Sequence, residues 1–223
     1  MSEPQAKPKL VLSDPKILHK IKFVQIKRQL IPVSLVIGLL ILNIFWFQNW
    51  MLYPILAAFG WYLLERIMFR TRNKILAPEA ATFVSPVDGK VASFQHLEDS
   101  ILMTIKKSFL DVVELRLPFP DKTMEKSDTW LFETPHGKVT MRIYSPKAIY
   151  FTDTNVQGGV VGMVPYNAEV TLQIPSGYQL QVQKGQNLIG GETVLFDLNE
   201  PFVEHRSIVV EEPLEEFDNS PEV

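Results

Sequence analysis

The sequence contains no cysteine in its 223 residues and only four histidines. The absence of thiols excludes disulfide bonds, cysteine nucleophiles, iron–sulfur clusters and cysteine-ligated zinc. The histidines, His19, His96, His136 and His205, are scattered along the chain without the short spacings that are typical of metal ligands. We therefore expect no metal site.

The beginning of the chain has few acidic residues, and its end has few basic ones. Residues 1–28 carry seven lysines and arginines against two acids, and residues 204–223 carry seven acids against one arginine. Because the basic segment directly precedes a long apolar run, attraction to anionic lipid headgroups explains it better than nucleic-acid binding does. We expect no nucleic-acid partner, and we expect the acidic segment 204–223 to be a disordered tail.

No charged side chain occurs from Leu30 to Leu64. A single helix of that length would measure about 50 Å, whereas the hydrocarbon core of a bilayer is about 30 Å thick. A polar break at residues 48–49 divides the run into two apolar segments, Ile31–Phe47 and Met51–Leu64. The sequence therefore predicts a helical hairpin, transmembrane or re-entrant, within residues 30–70.

Basic side chains flank both ends of this hairpin, with Lys27 and Arg28 before it and Arg66, Arg70 and Arg72 after it. The positive-inside rule places both ends, and the domain that follows, on the cytoplasmic side of the inner membrane. The alternative is a core hairpin of a soluble protein.

Beyond residue 71 the pattern changes to short runs of alternating apolar and polar residues, separated by Asp-Gly, His-Gly and Ser-Gly turn signals. The predicted strands are Thr82–Val84, Lys90–Phe94, Ile101–Lys106, Val112–Leu117, Trp130–Thr134, Val139–Tyr144, Gly159–Val164, Glu169–Ile174, Leu180–Val182 and Glu192–Leu198. The predicted fold class is mainly β, a compact barrel-sandwich-like domain over residues 71–203. It follows a basic juxtamembrane segment, residues 1–29, and the α-helical membrane hairpin.

Three segments of this domain follow one another in a characteristic order. The first is Val84–Val91, with the run Ser-Pro-Val-Asp-Gly, and the second is Ser108–Pro118, with Ser-x-Leu-Asp-Val and a later Arg-x-Pro. The third is Pro165–Leu195, which ends in Gly-Gly-Glu-Thr-Val-Leu. In this order, and behind an apolar hairpin, they resemble the short bacterial type of phosphatidylserine decarboxylase.

That family cuts its own chain between a glycine and a serine, and the serine becomes a pyruvoyl group that forms a Schiff base with the substrate amine. The resemblance assigns the family's aspartate to Asp88, but it places Val113 at the histidine position and Asn167-Ala168 at the Gly-Ser cleavage position. Alanine has no hydroxyl for the self-cleavage, and valine cannot accept a proton. None of the eleven glycines is followed by serine.

The resemblance thus predicts a membrane-anchored phosphatidylserine decarboxylase-like protein that is catalytically inactive and carries no cofactor. We expect it to act in phospholipid binding, regulation or complex assembly, with membrane phospholipid, a protein partner or a second copy of the chain as partners. Lys107 and Arg116 are the candidates for binding a phosphate headgroup. Asp88 would then cap its turn, as an aspartate before glycine commonly does.

Two alternatives stay open. The first is an active pyruvoyl-dependent decarboxylase that makes phosphatidylethanolamine. It would need a different cleavage serine, such as Ser145 or Ser176, and a proton acceptor such as His136. The second is a structural barrel-sandwich adaptor of a membrane complex.

Overall fold

The structure is a computed structural model, and it describes residues 10–46, 49–79, 81–120, 122–126, 128–151 and 155–201. The acidic segment that was predicted to be a disordered tail lies outside the described residues. In chain order the elements are β1 (Leu10–Leu12), α1 (Pro15–Trp46), a 3-10 turn (Asn49–Met51), α2 (Leu52–Met68), β2 (Lys74–Leu76), β3 (Thr82–Val84), β4 (Gly89–His96), β5 (Ser100–Lys107), β6 (Glu114–Arg116), β7 (Lys122–Lys126), β8 (Thr129–Thr134), β9 (Gly137–Tyr144), β10 (Ile149–Tyr150), β11 (Val160–Met163), β12 (Ala168–Pro175), β13 (Tyr178–Leu180), β14 (Asn187–Leu188) and β15 (Val194–Pro201).

The two helices are consecutive and contact each other as a hairpin. With 32 residues, α1 is about 48 Å long, which exceeds the hydrocarbon core of a bilayer. It is long and apolar enough to cross a membrane, and almost all of its apolar stretch is exposed. Large apolar side chains of both helices, Ile44, Phe45 and Leu56 among them, also face outwards. An apolar helix of this kind is consistent with membrane anchoring.

Helix α1 begins at Pro15, well before the uncharged run. Asp14 caps this end, since the Lys16 N–H donates to Asp14 Oδ1 at 2.8 Å, and proline suits the first helical position because it needs no N–H acceptor there. Ile17 and Ile21 are four residues apart and therefore share one helix face. Both are buried against the β domain. The first turns of α1 thus belong with the β domain rather than with the exposed apolar stretch.

Seven antiparallel strands form the main sheet, in the order β14-β4-β5-β12-β9-β8-β7. Two three-stranded sheets, β10-β11-β6 and β13-β15-β3, complete the domain, and β1 pairs with β2. In β9 and β12 buried residues alternate with more exposed ones, as expected for strands with one face on a core. The predicted fold class, a mainly β domain after an N-terminal apolar helix, is confirmed.

Phe83 on β3 connects the sheets at the centre of the core. Its ring stacks on Phe196 of β15 at 4.8 Å and meets Phe132 of β8 edge-on at 5.4 Å. Aromatic pairs in these geometries add to the stability that comes from apolar burial alone. Aromatic contacts therefore hold the β13-β15-β3 sheet on the main sheet.

Several strands differ from the sequence-based prediction. The observed β6 is limited to Glu114–Arg116, β13 begins at Tyr178, and β15 extends to Pro201. Strands β7, β10 and β14 were not predicted, and neither were the paired strands β1 and β2. They pair with each other across the whole helical hairpin, with Leu10 opposite Leu76, and a local sequence pattern carries no sign of such a distant partner.

Candidate functional site

The end of β5 and the starts of β4 and β12 lie side by side at one edge of the main sheet. Several residues that the sequence analysis names lie at this edge. Lys107, the last residue of β5, pairs with Ala168, the first residue of β12. One residue earlier, Lys106 pairs with Lys90 of β4. Asp88 directly precedes β4. The register therefore brings Asp88, Lys107 and Ala168 to the same edge of the sheet.

The Asp88 carboxylate is held from two sides. Arg72 Nη2 lies 2.8 Å from Asp88 Oδ2, and the Gly190 N–H donates to Asp88 Oδ1 at 2.8 Å. Burial raises the pKa of Asp88, and the Gly190 hydrogen bond and the Arg72 charge oppose that rise. Asp88 thus links the segment after α2 to the turn before β15. The sequence predicted only a local cap of its own turn.

Lys107 is buried, with 2% of its surface exposed. Its ammonium donates to the carbonyl oxygens of Ser108 at 3.1 Å and Asp111 at 3.4 Å. Burial lowers the pKa of Lys107 to about 8, although the charges of Asp111 and Asp88 act in the opposite direction. This amine therefore titrates closer to neutral pH than an ordinary lysine, at the edge where β5 meets β12.

An open cleft of about 460 Å³ lies beside Ala168, between Lys107, Tyr144 and Asn167. Asn167 Oδ1 accepts a hydrogen bond from the Phe109 N–H at 2.7 Å, which ties the start of β12 to the loop after β5. Ala168 offers this cleft only a methyl group, which can neither attack a carbonyl nor exchange a proton. The residue at this position does not fit the formation of a pyruvoyl group.

Val113 lies in an apolar cluster between the β domain and α1. It is fully buried and packs with Ile21, Phe69 and Met163. Its N–H donates to the Arg70 carbonyl at 3.0 Å. A polar imidazole in this environment would be costly, because none of these apolar neighbours accepts a hydrogen bond. The side chain at this position serves packing.

Glu114 and Arg116 form a buried ion pair that sequence reasoning did not identify. Each residue is 2% exposed. The Arg116 guanidinium also donates to the carbonyls of Gly158 at 2.8 Å and Arg72 at 2.9 Å. Glu114 Oε1 accepts the Arg72 N–H at 2.8 Å. Burial raises the pKa of Glu114, and the Arg116 charge opposes that effect.

Headgroup binding by Arg116 would require breaking these contacts, and it stays a prediction. The signal that could have indicated the pair is the spacing of two opposite charges at i and i+2 inside an apolar strand, which places both on one face.

The alternative of an active enzyme relies on Ser145, Ser176 and His136. These residues do not all lie at the same end of β12. Ser176 directly follows β12, and the His136 ring contacts Tyr178 at 5.1 Å at the same end. Because β12 has eight residues, that end lies about 25 Å from Ala168. Ser145 follows Tyr144, which pairs with Glu169 at the Ala168 end. The fold therefore separates His136 from Ser145.

Among the residues that the structure describes, no group of three His, Asp or Glu side chains is placed to hold a metal ion. The expectations of no metal and no cofactor stay predictions.

Comparison with known proteins finds a relative of the kind that the sequence resembles. The chain is 24% identical, over 162 residues, to a protein named phosphatidylserine decarboxylase proenzyme from Chlorobium phaeobacteroides. The similarity is distant. It covers 57% of this chain and 76% of that protein, and it supports a function related to that of phosphatidylserine decarboxylase. No protein-family model and no solved structure matches the chain.

Proposed function

We propose that the chain is a membrane-anchored relative of phosphatidylserine decarboxylase that does not cleave itself and acts in phospholipid binding, regulation or complex assembly. The proposal rests on the identity of residue 168. It is an alanine, which pairs with Lys107 and lines the open cleft. A pyruvoyl group requires a hydroxyl that attacks the preceding carbonyl and is later eliminated. Alanine supplies neither step.

The packing of Val113 supports the same proposal. Proton transfer during self-cleavage needs a base within hydrogen-bond reach of the attacking hydroxyl. Val113 is fully buried among apolar side chains of α1 and β11, so the aligned position contributes to attachment of the helix. Asp88 has a structural partner in Arg72 and needs no catalytic role to account for its position.

The proposed location is the cytoplasmic face of the inner membrane. Support comes from the apolar helix α1 and from the basic residues on both sides of the hairpin, which favour retention of these ends in the cytoplasm. Because Ile17 and Ile21 of α1 pack on the β domain, the domain would lie directly against the membrane surface.

The test is the intact mass of the full-length protein, purified in detergent, with and without a carbonyl-reactive reagent. We expect one unmodified chain of full mass. Two fragments, the C-terminal one carrying a reactive carbonyl at its new N-terminus, would overturn the proposal and establish an active decarboxylase. Ser145→Ala and Ser176→Ala variants, measured in parallel, would then identify the cleavage serine, since only the correct one would abolish the second fragment.

A further inference from the structure

Two cavities lie in the helical hairpin and share the Tyr62 side chain. One is a polar cleft of about 540 Å³ at the base of the hairpin, with Gln29, Arg66 and Arg70 in its wall. The other is an apolar groove of about 190 Å³, with Val33 and Phe59 in its wall. Because Tyr62 belongs to the wall of both, the polar cleft and the apolar groove are neighbours along the hairpin.

Helical periodicity explains why the two cavities follow each other along the hairpin. On α1, Gln25, Gln29, Val33 and Ile37 are spaced four residues apart, so they form one stripe along the helix. On α2, Phe59, Tyr62 and Arg66 follow one another at intervals of three and four. Each stripe is therefore apolar towards the hairpin turn and polar towards the β domain.

The change from polar to apolar coincides with the start of the uncharged run. Gln29 immediately precedes Leu30, the first residue of that run, whereas Val33 and Ile37 lie inside it. In a membrane-inserted hairpin, the polar cleft would lie at the headgroup level and the groove at the level of the acyl chains. Tyr62 joins the two levels, as amphipathic aromatic rings commonly do.

The cleft contains positive charge that the protein itself does not neutralise. The Arg66 side chain is exposed and makes no hydrogen bond or ion pair with any residue that the structure describes. Arg70, four residues further on, is also exposed and donates to the Leu110 carbonyl. Arg70 lies just beyond the end of α2 at Met68, and both guanidinium-bearing residues line the same cleft. By contrast, the nearby Arg28 is already stacked on the Tyr166 ring, 5.1 Å from its centroid.

We propose that the polar cleft and the neighbouring apolar groove together bind one molecule of an anionic phospholipid. The phosphodiester would lie between Arg66 and Arg70, whose planar groups match phosphate oxygens, and the Gln25 and Gln29 amides would donate further hydrogen bonds. One acyl chain would lie along Val33 and Phe59. The inference deepens the phospholipid-binding part of the proposed function. It places that binding in the hairpin instead of at Lys107 or Arg116.

The experiment is a binding titration of the full-length protein in detergent, followed by native mass spectrometry. Dioleoylphosphatidylglycerol is the lipid probe, with dioleoylphosphatidylcholine, glycerophosphate and inorganic phosphate in separate arms. We expect one equivalent of phosphatidylglycerol to bind, and the double variant Arg66→Gln/Arg70→Gln to bind it about tenfold or more weakly. A Val33→Trp variant, which fills the groove, should weaken lipid binding as well.

The matched control is Lys90→Gln/Lys184→Gln, which removes the same charge from exposed lysines of the β domain outside the cleft lining. Lipid binding of this control should stay within about twofold of the wild type. An equal loss in both double variants would overturn the proposal and indicate general surface attraction. Equally tight binding of glycerophosphate or inorganic phosphate would overturn the lipid assignment in favour of a free-phosphate site.

The control and Arg66→Gln/Arg70→Gln proteins should show the same circular dichroism and the same elution volume as the wild type, which excludes misfolding as the cause of lost binding. Each sample also reports its own intact mass. Self-cleavage would therefore reveal failure of the proposed function separately from failure of the lipid site.

Discussion

Lys107 and Ala168 are backbone partners where β5 ends and β12 begins. A buried amine thus lies in the strand next to the residue that takes the serine position in the resemblance to phosphatidylserine decarboxylase. The amine donates to the carbonyls of Ser108 and Asp111, which lie in the loop after β5. The residue at position 168, an alanine, has no hydroxyl from which a pyruvoyl group could form.

The first prediction concerns the pH dependence of stability that Lys107 imposes. Its pKa is lowered from 10.5 to about 8, so between these values the folded protein binds fewer protons than the unfolded chain. Stability rises with pH wherever the unfolded state binds more protons. The destabilisation by Lys107 is therefore complete below about pH 8 and disappears as the pH approaches 10.5.

The measurement is the apparent melting temperature of the full-length protein in detergent across this pH range. Lys107→Met should raise stability by on the order of 1–3 kcal/mol at neutral pH, and the gain should shrink as the pH rises. Lys106→Met is the control, because Lys106 is exposed on the same strand. A gain from Lys107→Met that does not change with pH would contradict the lowered pKa.

The second prediction tests the buried pair of Glu114 and Arg116. Glu114→Gln leaves the Arg116 charge buried without its counter-ion and should cost about 3–5 kcal/mol. Glu133→Gln is the comparison, since Glu133 pairs with Lys138 at 3.6 Å while both side chains are largely exposed. It should cost no more than about 1 kcal/mol. Equal melting temperatures for the two variants would show that Glu114 does not compensate Arg116.

The third prediction tests whether the first turns of α1 are part of the β domain. Ile21 is fully buried, whereas Phe23, two residues later, is 68% exposed. Ile21→Ala should cost about 2–4 kcal/mol, and Phe23→Ala about 0.5 kcal/mol or less. Hydrogen exchange should become faster in β11, which packs on Ile21 through Met163, only in the Ile21 variant. Unchanged exchange there would mean that α1 is not docked as described.

The fourth prediction concerns Gly89, the residue between Asp88 and the rest of β4. A Cβ atom at this position would lie 2.6 Å from the Lys106 carbonyl oxygen, which is too close for β4 and β5 to keep their pairing. Gly89→Ala should therefore destabilise the protein by about 1–3 kcal/mol. Gly60→Ala on α2, where no heavy atom lies within 4 Å of the added carbon, should not lower the melting temperature. A harmless Gly89→Ala would place the two strands further apart than described.

The mainly β class and the apolar helices could be predicted because they depend on local patterns. Alternation of buried residues in β9 and β12 follows from the two-residue period of a strand, and the uncharged run was long enough to require helices. The start of α1 at Pro15 could not be predicted from hydropathy. Ile17 and Ile21 stand among lysines in the sequence, and their apolar contacts come from distant residues such as Val113 and Met163.

The sequence by itself determined that Ala168 has no hydroxyl and that Val113 has no proton acceptor, whatever their surroundings. Only the tertiary structure decided where the charged residues act. In the sequence Glu114 and Arg116 look like ordinary strand charges. In the structure they are buried and contact the distant residues Ser13, Arg72 and Gly158. Arg66 and Gln29 lie far apart in the chain, and only the antiparallel contact of α1 with α2 places them in one cleft. Such relationships arise from contacts between distant segments, which no local pattern encodes.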